Sequence, residues 1–455
     1  MLRALRVGKT NSVKSKTTID IEQFAMEATP KRNKTSAHVA ASPGPNFSRS
    51  LNPEPNSSGM RRKATNNKSL ALITELVLDR HLHRTQSVEI LRALANRGFD
   101  VELCAIRSKE RYATGDLKVC SIPLRYKPVI HQTFFSLIMF LFLPIYVLVK
   151  KPRFIITEPS PSILAFLWKP LLSRCTKVKV ILDIRSTPVE VHGWQEELKS
   201  LFFRISLLIA KRIFDGITII TSPMREEIAR NFHIDSDEIG VWTEGVSTQH
   251  FDPAKCLAEG AELRRQYGLT NAFVILYHGN LTKNRGLKES AISLEMLPRG
   301  KYDDVVLFIL GSGPALPTMR RLVDERGLHG RVIFHGPVHY DHVPKYIAMA
   351  DVGLVPLPNH PDWINQCPLN LLEYLAMEKP VIITDIPCNR WIVGKSKCGT
   401  YVKNADPKEF AKAIGYLHDN RKMLKQWGVQ GRIIVERRFQ WSIAAEALEN
   451  YLVSR

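Results

Sequence analysis

From Ser69 the chain alternates short apolar runs with longer stretches whose apolar residues recur every three or four positions. Leu70-Ala71-Leu72-Ile73 reads as a buried strand. Val88, Leu91, Leu94 and Ala95 then follow at helical spacing, Gly98 stops them, and Val101-Glu102-Leu103-Cys104 opens a second strand. Further strands are predicted at 154–156, 178–182 and 217–220. A second series is predicted at 274–277, 305–310, 332–334, 352–355 and 381–383, with helices between. Apolar strands separated by amphipathic helices are the pattern of βαβ units, whose parallel sheets are covered on both faces. Two sheets of about five strands do not fit one domain, and the polar stretch 252–260, with its Pro253, is the expected boundary. The predicted fold class is α/β: two doubly wound, Rossmann-like domains facing each other across a cleft. Ligands of such sheets sit beyond the carboxyl ends of the strands.

One apolar run, 134–149, departs from this rhythm. It is interrupted by Ser136, Pro144 and Tyr146, preceded by Lys127 and followed by Lys150, Lys151 and Arg153. A membrane-spanning helix needs about 20 apolar residues, so the run is short for one. Three readings stay open: a buried core helix, a segment docked on a membrane by its basic flanks, and a true span. A helix over 198–213 sets Leu198, Phe202, Ile205, Leu208 and Ile209 among Arg204, Lys211 and Arg212. That helix adds weight to docking, against the plainer reading of a half-buried surface helix.

Charge widens the choice of partner. The chain carries 64 Lys and Arg against 44 Asp and Glu, a formal +20, which suggests nucleic acid, a membrane surface or a phosphorylated substrate. Residues 1–68 supply +9 of it, with four acids (Asp20, Glu22, Glu27, Glu54). This segment is rich in Ser, Thr, Asn and Pro and too poor in apolar residues to offset its ordering entropy, so a disordered basic tail is expected. It shows no apolar leader, and Met60-Arg61-Arg62-Lys63 would make an alternative start just before the first strand. The seven cysteines are scattered without a C-x-x-C, a pattern that fits free thiols in a reducing cytoplasm. Collagen and coiled coil are excluded by the lack of a glycine period or heptads.

Three motifs carry chemistry. In Tyr277-His278-Gly279-Asn280-Leu281-Thr282-Lys283-Asn284-Arg285-Gly286 a strand ends in glycine, a basic loop follows and a helix begins. Close backbone approach, free N–H groups and the charges of Lys283 and Arg285 suit a phosphate. Leu310-Gly311-Ser312-Gly313-Pro314 is a second, weaker glycine-rich turn. The third is 365–382, from Asn365 through Pro368-Leu369-Asn370-Leu371 to Glu373 and Pro380-Val381. Pro368 suits a helix start, which would free the N–H groups of Leu369, Asn370 and Leu371 for a diphosphate. One turn on, Glu373 could accept the two hydroxyls of a ribose. His335, His339 and His342 form a loose cluster, but Gly336-Pro337 breaks the helix that would align them, and no metal site is expected.

Taken in order, these residues resemble the group 1 (family 4) glycosyltransferases of the GT-B fold. The resemblance rests on Gly279 to Gly286, Leu310-Gly311-x-Gly313-Pro314, Arg331-Val332-Ile333-Phe334-x-Gly336, Ala350-Asp351-Val352-Gly353-Leu354-Val355-Pro356 and Glu373-Tyr374-x-Ala376 with Pro380-Val381. The first half resembles the family more loosely, through Asp183-Ile184-Arg185-x-x-Pro188 and Trp242-Thr243-Glu244-Gly245-Val246. The resemblance implies an acceptor domain at 69–255, a donor domain at 256–436, and a helix at 437–455 crossing back after Phe439-x-Trp441.

It also implies a retaining, metal-independent hexosyl transfer from a nucleotide-sugar to a glycan or lipid-linked acceptor. The setting would be cell-surface polysaccharide or glycolipid synthesis at the cytoplasmic, inner face of the cell membrane, without nucleic acid. By position Glu373 would hold the ribose. Gly279, Arg285 and the Leu369–Leu371 amides would hold the diphosphate, with Asn280, Lys283 and Gly311 beside them, and Val338 would lie near the base.

Several positions depart from the family pattern. The first carboxylate of its E-x7-E motif is Asn365, the Arg after Gly279 is Asn280, and the Lys two residues after Pro368 is Asn370. The His after strand 178–182 is Arg185, and the glycine-rich loop after the first strand is Asp79-Arg80-His81-Leu82-His83-Arg84. Asn365, Arg185 and Glu373 are therefore the candidate catalytic positions. The rivals are a nucleotide-sugar epimerase of the same fold and a non-enzymatic basic protein that binds membrane or nucleic acid.

Overall fold

The computed structural model describes residues 68–77, 84–106, 117–122, 124, 130–188 and 193–455. The expected tail and the polar segment after the first strand lie outside the described residues. Those described belong to one compact unit, Thr65–Arg455.

The first half runs β1 (Ser69–Val77), α1 (Arg84–Asn96), β2 (Asp100–Ile106), β3 (Lys118–Ile122), α2 (Ile130–Lys150) and β4 (Phe154–Thr157). A 3-10 turn (Pro161–Trp168) leads into α3 (Lys169–Cys175), followed by β5 (Lys179–Ile184), α4 (Trp194–Ile213), β6 (Gly216–Ile219), α5 (Ser222–Phe232) and β7 (Ile239–Val241). The second half runs α6 (Pro253–Gln266), β8 (Phe273–His278), α7 (Leu287–Ser293), β9 (Val305–Leu310), α8 (Leu316–Glu325), β10 (Val332–His335), α9 (Val343–Met349), β11 (Val352–Val355), α10 (Leu369–Ala376) and β12 (Val381–Thr384). It closes with α11 (Pro387–Val393), β13 (Gly399–Val402), α12 (Pro407–Asp419), α13 (Leu424–Arg438) and α14 (Trp441–Ser454).

Both sheets are parallel and share one topology, β3-β2-β1-β4-β5-β6-β7 and β10-β9-β8-β11-β12-β13. In each the chain reverses direction between two central strands, β1/β4 and β8/β11. These switch points open the crevice in which a doubly wound sheet takes its ligand. The central strands are largely apolar because helices cover both faces; β8 and β9 are buried at every residue.

The ten expected strands are present. Three more, β3, β7 and β13, sit at sheet edges. They are short and partly exposed, so they lack the apolar run that marks a central strand. The stretch 252–260 is helical rather than a linker. Asp252 caps α6 by accepting from the Ala254 amide at 3.0 Å, with Pro253 in the first turn. The two halves are instead joined near Val246, whose amide donates to the Phe439 carbonyl at 2.8 Å.

From there α14 crosses back onto the first sheet. The Tyr451 hydroxyl accepts from the Ile217 amide at 3.0 Å and donates to the Glu238 carbonyl at 2.7 Å. Its ring fills the space left by Gly216 and Gly240, where an added Cβ would come within 2.5 Å of it.

Helix α2 is longer than the apolar run, 21 residues with Pro144 inside, and it divides lengthwise. Phe135, Met139, Leu143, Tyr146 and Val147 are buried in the first core. Phe134, Leu137, Leu141, Ile145, Leu148 and Val149 stand exposed on the other face, Leu141 at 65%. Leu164, Leu167 and Leu171 of the adjoining turn and α3, and Leu198, Leu201 and Leu208 of α4, are exposed too. The helix is therefore neither wholly buried nor wholly free.

Candidate active site

At the second switch point the carboxyl end of β8 meets the start of α10. Tyr374 fixes the two together: its hydroxyl donates to the Leu276 carbonyl at 2.9 Å and accepts from the His278 amide at 3.0 Å. Gly353 makes room for the ring, since a Cβ there would lie 2.3 Å from it. The neighbouring Glu373 is thereby held over β8. Its Oε2 is 3.1 Å from His278 Nε2, without the alignment of a hydrogen bond. Burial pushes Glu373 up to about 8 and His278 down to about 3. Both are therefore neutral at pH 7, and the contact is no ion pair. The Tyr340 hydroxyl hydrogen-bonds the same carboxyl and lowers its pKa in part. Glu89 of α1 acts on Tyr340 across the cleft.

Arg285 stacks its guanidinium 4.6 Å from the Trp363 ring centre, with its buried Nε unpartnered. Trp363 belongs to the loop that leads into α10. Lys283 and Asn280 are exposed at the rim. Gly279 takes φ +136 and Gly311 φ +144; a Cβ on Gly311 would lie 2.0 Å from the Gly279 carbonyl oxygen. Only glycine lets these two strand ends run so close together.

The structure gives the protein partners of several of the expected site residues. Pro368 is the N-cap of α10 and not its first residue, so the Leu371 amide donates to the Pro368 carbonyl at 3.0 Å. Leu369 and Asn370 are left as first-turn donors. The Gly279 amide is used within the sheet, on the Leu310 carbonyl at 3.0 Å, and the Gly311 amide on the His335 carbonyl at 3.1 Å. Asn370 spends its side chain on the His278 carbonyl at 3.2 Å, and Val338 packs against the second core.

Asn365 donates to Glu227 Oε2 of α5 at 2.6 Å, and its carbonyl accepts from Thr221 at 2.9 Å. Gln366 reaches Thr187 at 2.7 Å. This loop thus joins the halves. A cavity of about 520 Å³ opens beside it, lined by Thr187, Ser200, Arg204, Glu227, Pro361 and Asp362 among others.

Arg185 lies at the first switch point, fully engaged. It donates to Asp183 at 2.8 Å and Ser87 at 2.7 Å, stands 3.6 Å from Glu158, and stacks 5.4 Å from the Trp242 ring centre. Asp183 also accepts from Thr218 and the Trp242 indole, both at 2.7 Å. Glu75 accepts from the Ser162 amide at 3.1 Å, and burial pushes it up to about 7.

Sequence reasoning had singled out none of Tyr340, Trp363 or Glu227. Tyr340 stood inside the histidine cluster, whose members do not converge: His335 bonds Tyr346 at 3.2 Å, and the His339 and His342 rings lie 6.3 Å apart. Among the described residues no group of His, Cys, Asp and Glu is arranged to hold a metal ion. All seven cysteines are free.

Two parallel Rossmann-like sheets, with a buried glutamate at a helix start and a basic loop at the second switch point, have the GT-B fold. Residues 260–433 match the family model described as glycosyl transferases group 1. It is 25% identical over 288 residues to the alpha-D-kanosaminyltransferase of Streptomyces kanamyceticus, covering 61% of this chain and 71% of that protein. It is 28% identical over 249 residues to the GDP-mannose-dependent alpha-(1-6)-phosphatidylinositol monomannoside mannosyltransferase of Mycobacterium tuberculosis, covering 54% and 64%. The fold matches Anabaena HepE solved with UDP and glucose, with TM-score 0.67 at 14% identity over 85% of this chain and 100% of that one. A glycosyltransferase from Rickettsia africae matches with TM-score 0.67 at 16% identity, over 86% and 100%.

Proposed function

We propose that this glycosyltransferase moves a hexosyl group, with retention and without a metal, from a nucleoside-diphosphate sugar to a glycan or lipid-linked acceptor. The reaction would take place at the cytoplasmic face of a membrane, in the synthesis of a surface polysaccharide or glycolipid. The observation that carries this reading is the buried Glu373 near the start of α10, beside the end of β8, with Arg285 stacked on the loop that leads into that helix. There Glu373 accepts the ribose hydroxyls, displacing Tyr340. Arg285 and the Leu369 and Asn370 amides face the diphosphate, with Lys283 at the rim. As the glycosidic bond breaks, the leaving diphosphate gains charge, and donors already in place stabilise it without reorganisation.

The acceptor enters from the first half. The 520 Å³ cavity borders α4, whose exposed leucines continue the apolar face of α2. Exposed Lys150, Lys151, Arg174, Lys177, Lys211 and Arg212 flank that face. An apolar face with a basic margin suits the surface of an anionic bilayer. The relatives support the donor and acceptor classes: one uses GDP-mannose and a phosphatidylinositol mannoside, and the HepE structure holds UDP and glucose.

The test is thermal stabilisation by a panel of nucleotide sugars, followed by turnover with the best of them. One donor should raise the melting point by several degrees. No shift with any of them would refute the donor site.

A further inference from the structure

Glu244 follows β7 at the join between the halves. Its side chain is fully buried, and neither carboxyl oxygen has a hydrogen-bond partner. The residue before it, Thr243, takes φ +61, in the left-handed region that a β-branched side chain disfavours, and its hydroxyl is also unpartnered. Strain and an orphaned buried carboxyl side by side both oppose folding, and such features persist where a ligand uses them.

The surroundings say where the carboxyl faces. Arg185, Asp183 and Glu158 act on it from the first switch point. It also couples electrostatically to the Cys367 thiol, two residues before the first turn of α10. It is thus coupled both to the Arg185 cluster and to the segment that leads into α10. The other carboxyls of the cluster are occupied: Asp183 by Thr218, Trp242 and Arg185, Glu158 by Thr74 at 2.9 Å, and Glu75 by Ser162. Asn365, where the family pattern places a carboxylate, donates to Glu227.

We propose that Glu244 supplies from the first half the carboxyl that binds a hydroxyl of the sugar in the cleft, in the place Asn365 leaves vacant; this rests on the glycosyl-transfer reading. Burial and the neighbouring carboxylates raise its pKa to about 8 against the pull of Arg185. At pH 7 the group is neutral, with one O–H donor and spare acceptor capacity, the set that pairs with a sugar hydroxyl. A neutral carboxyl also places no negative charge beside a departing diphosphate.

The experiment compares wild type, Glu244→Leu and Glu244→Gln in the full chain. It measures melting temperature, affinity for free UDP and GDP, and turnover of the matching nucleotide sugar. Glu244→Leu should hold or raise the melting temperature, because it removes an unpaired polar group. It should leave nucleoside-diphosphate affinity within about twofold and lower turnover on the order of 10²-fold or more. Glu244→Gln, which keeps a donor and an acceptor, should stay within about tenfold of wild type. Unchanged turnover in Glu244→Leu would overturn the proposal. So would parallel losses of melting temperature and UDP or GDP affinity, which would make Glu244 structural. A wild type inactive with every nucleotide sugar would overturn the glycosyl-transfer reading, and this proposal with it.

Discussion

Glu373 meets its ligand carrying a proton. Burial holds its pKa at about 8, so at pH 7 about one carboxyl in ten is ionised. Ribose hydroxyls are donors and favour the ionised form, so binding pulls the pKa down and releases a proton. Affinity must then rise with pH, about tenfold per unit (about 1.4 kcal/mol) between pH 6 and 8, and level off above. A nucleotide sugar is the right ligand, because both its phosphates are esterified and neither titrates in this window. His278, pushed down to about 3, and Tyr340, pushed up by burial, do not titrate there either.

Calorimetry at pH 7 in two buffers of different ionisation enthalpy should show about 0.9 proton released per ligand by Glu373. Glu373→Gln should remove that proton and its share of the pH slope. Glu244, also near 8, binds in its neutral form under the proposal above and releases no proton. The unliganded protein supplies the sign check. A carboxyl raised above its unfolded value stabilises the fold fully below about pH 4.5, and that contribution is lost as pH rises toward 8. Glu373→Gln should therefore flatten part of the decline in melting temperature over that range. A wild-type affinity independent of pH, or a slope unchanged in Glu373→Gln, would refute the assignment of the ribose to this carboxyl.

Arg285→Ala should lower turnover on the order of 10²-fold by removing a donor to the leaving group. It should cost about 1 kcal/mol of stability through the lost Trp363 stack, so steady-state kinetics and a melting scan separate the two effects. Gly311→Ala should destabilise by about 1–3 kcal/mol or more, because its Cβ meets the Gly279 carbonyl at 2.0 Å; a melting point within a degree of wild type would contradict that contact. The paired change Leu141→Glu and Ile145→Glu should cut co-sedimentation with anionic vesicles at least about tenfold without lowering the melting point, since both residues are exposed. Added salt should weaken wild-type vesicle binding only in part, through the basic margin.

How much was legible in the sequence follows from where each residue finds its partners. The central strands could be read because both faces are buried, which leaves an uninterrupted apolar run such as Val305–Leu310. The edge strand Lys118–Ile122 mixes lysine and serine into the run and shows no comparable signal. Glu373 and Arg285 stand out in the sequence because their setting is local, a helix start and a strand-to-helix loop. Tyr340 on Glu373, Trp363 under Arg285 and Glu227 on Asn365 are pairings between distant segments, and no spacing rule reports them. Leu371 was misjudged by a single position. With Pro368 as N-cap rather than first helical residue, one amide expected to be free closes a turn instead. The division of α2 into a buried and an exposed face could not be read either, because apolar residues occupy both.

The return of α14 has a consequence for synthesis on the ribosome. The notch between Gly216 and Gly240 is translated more than 200 residues before Tyr451, which fills it. The first sheet therefore waits, with its β6–β7 margin open, until the whole second half has been made. Domains are commonly completed in order as they leave the ribosome. Here the first is completed last, and a chain halted or cut before Trp441 loses the piece that finishes the part made earliest.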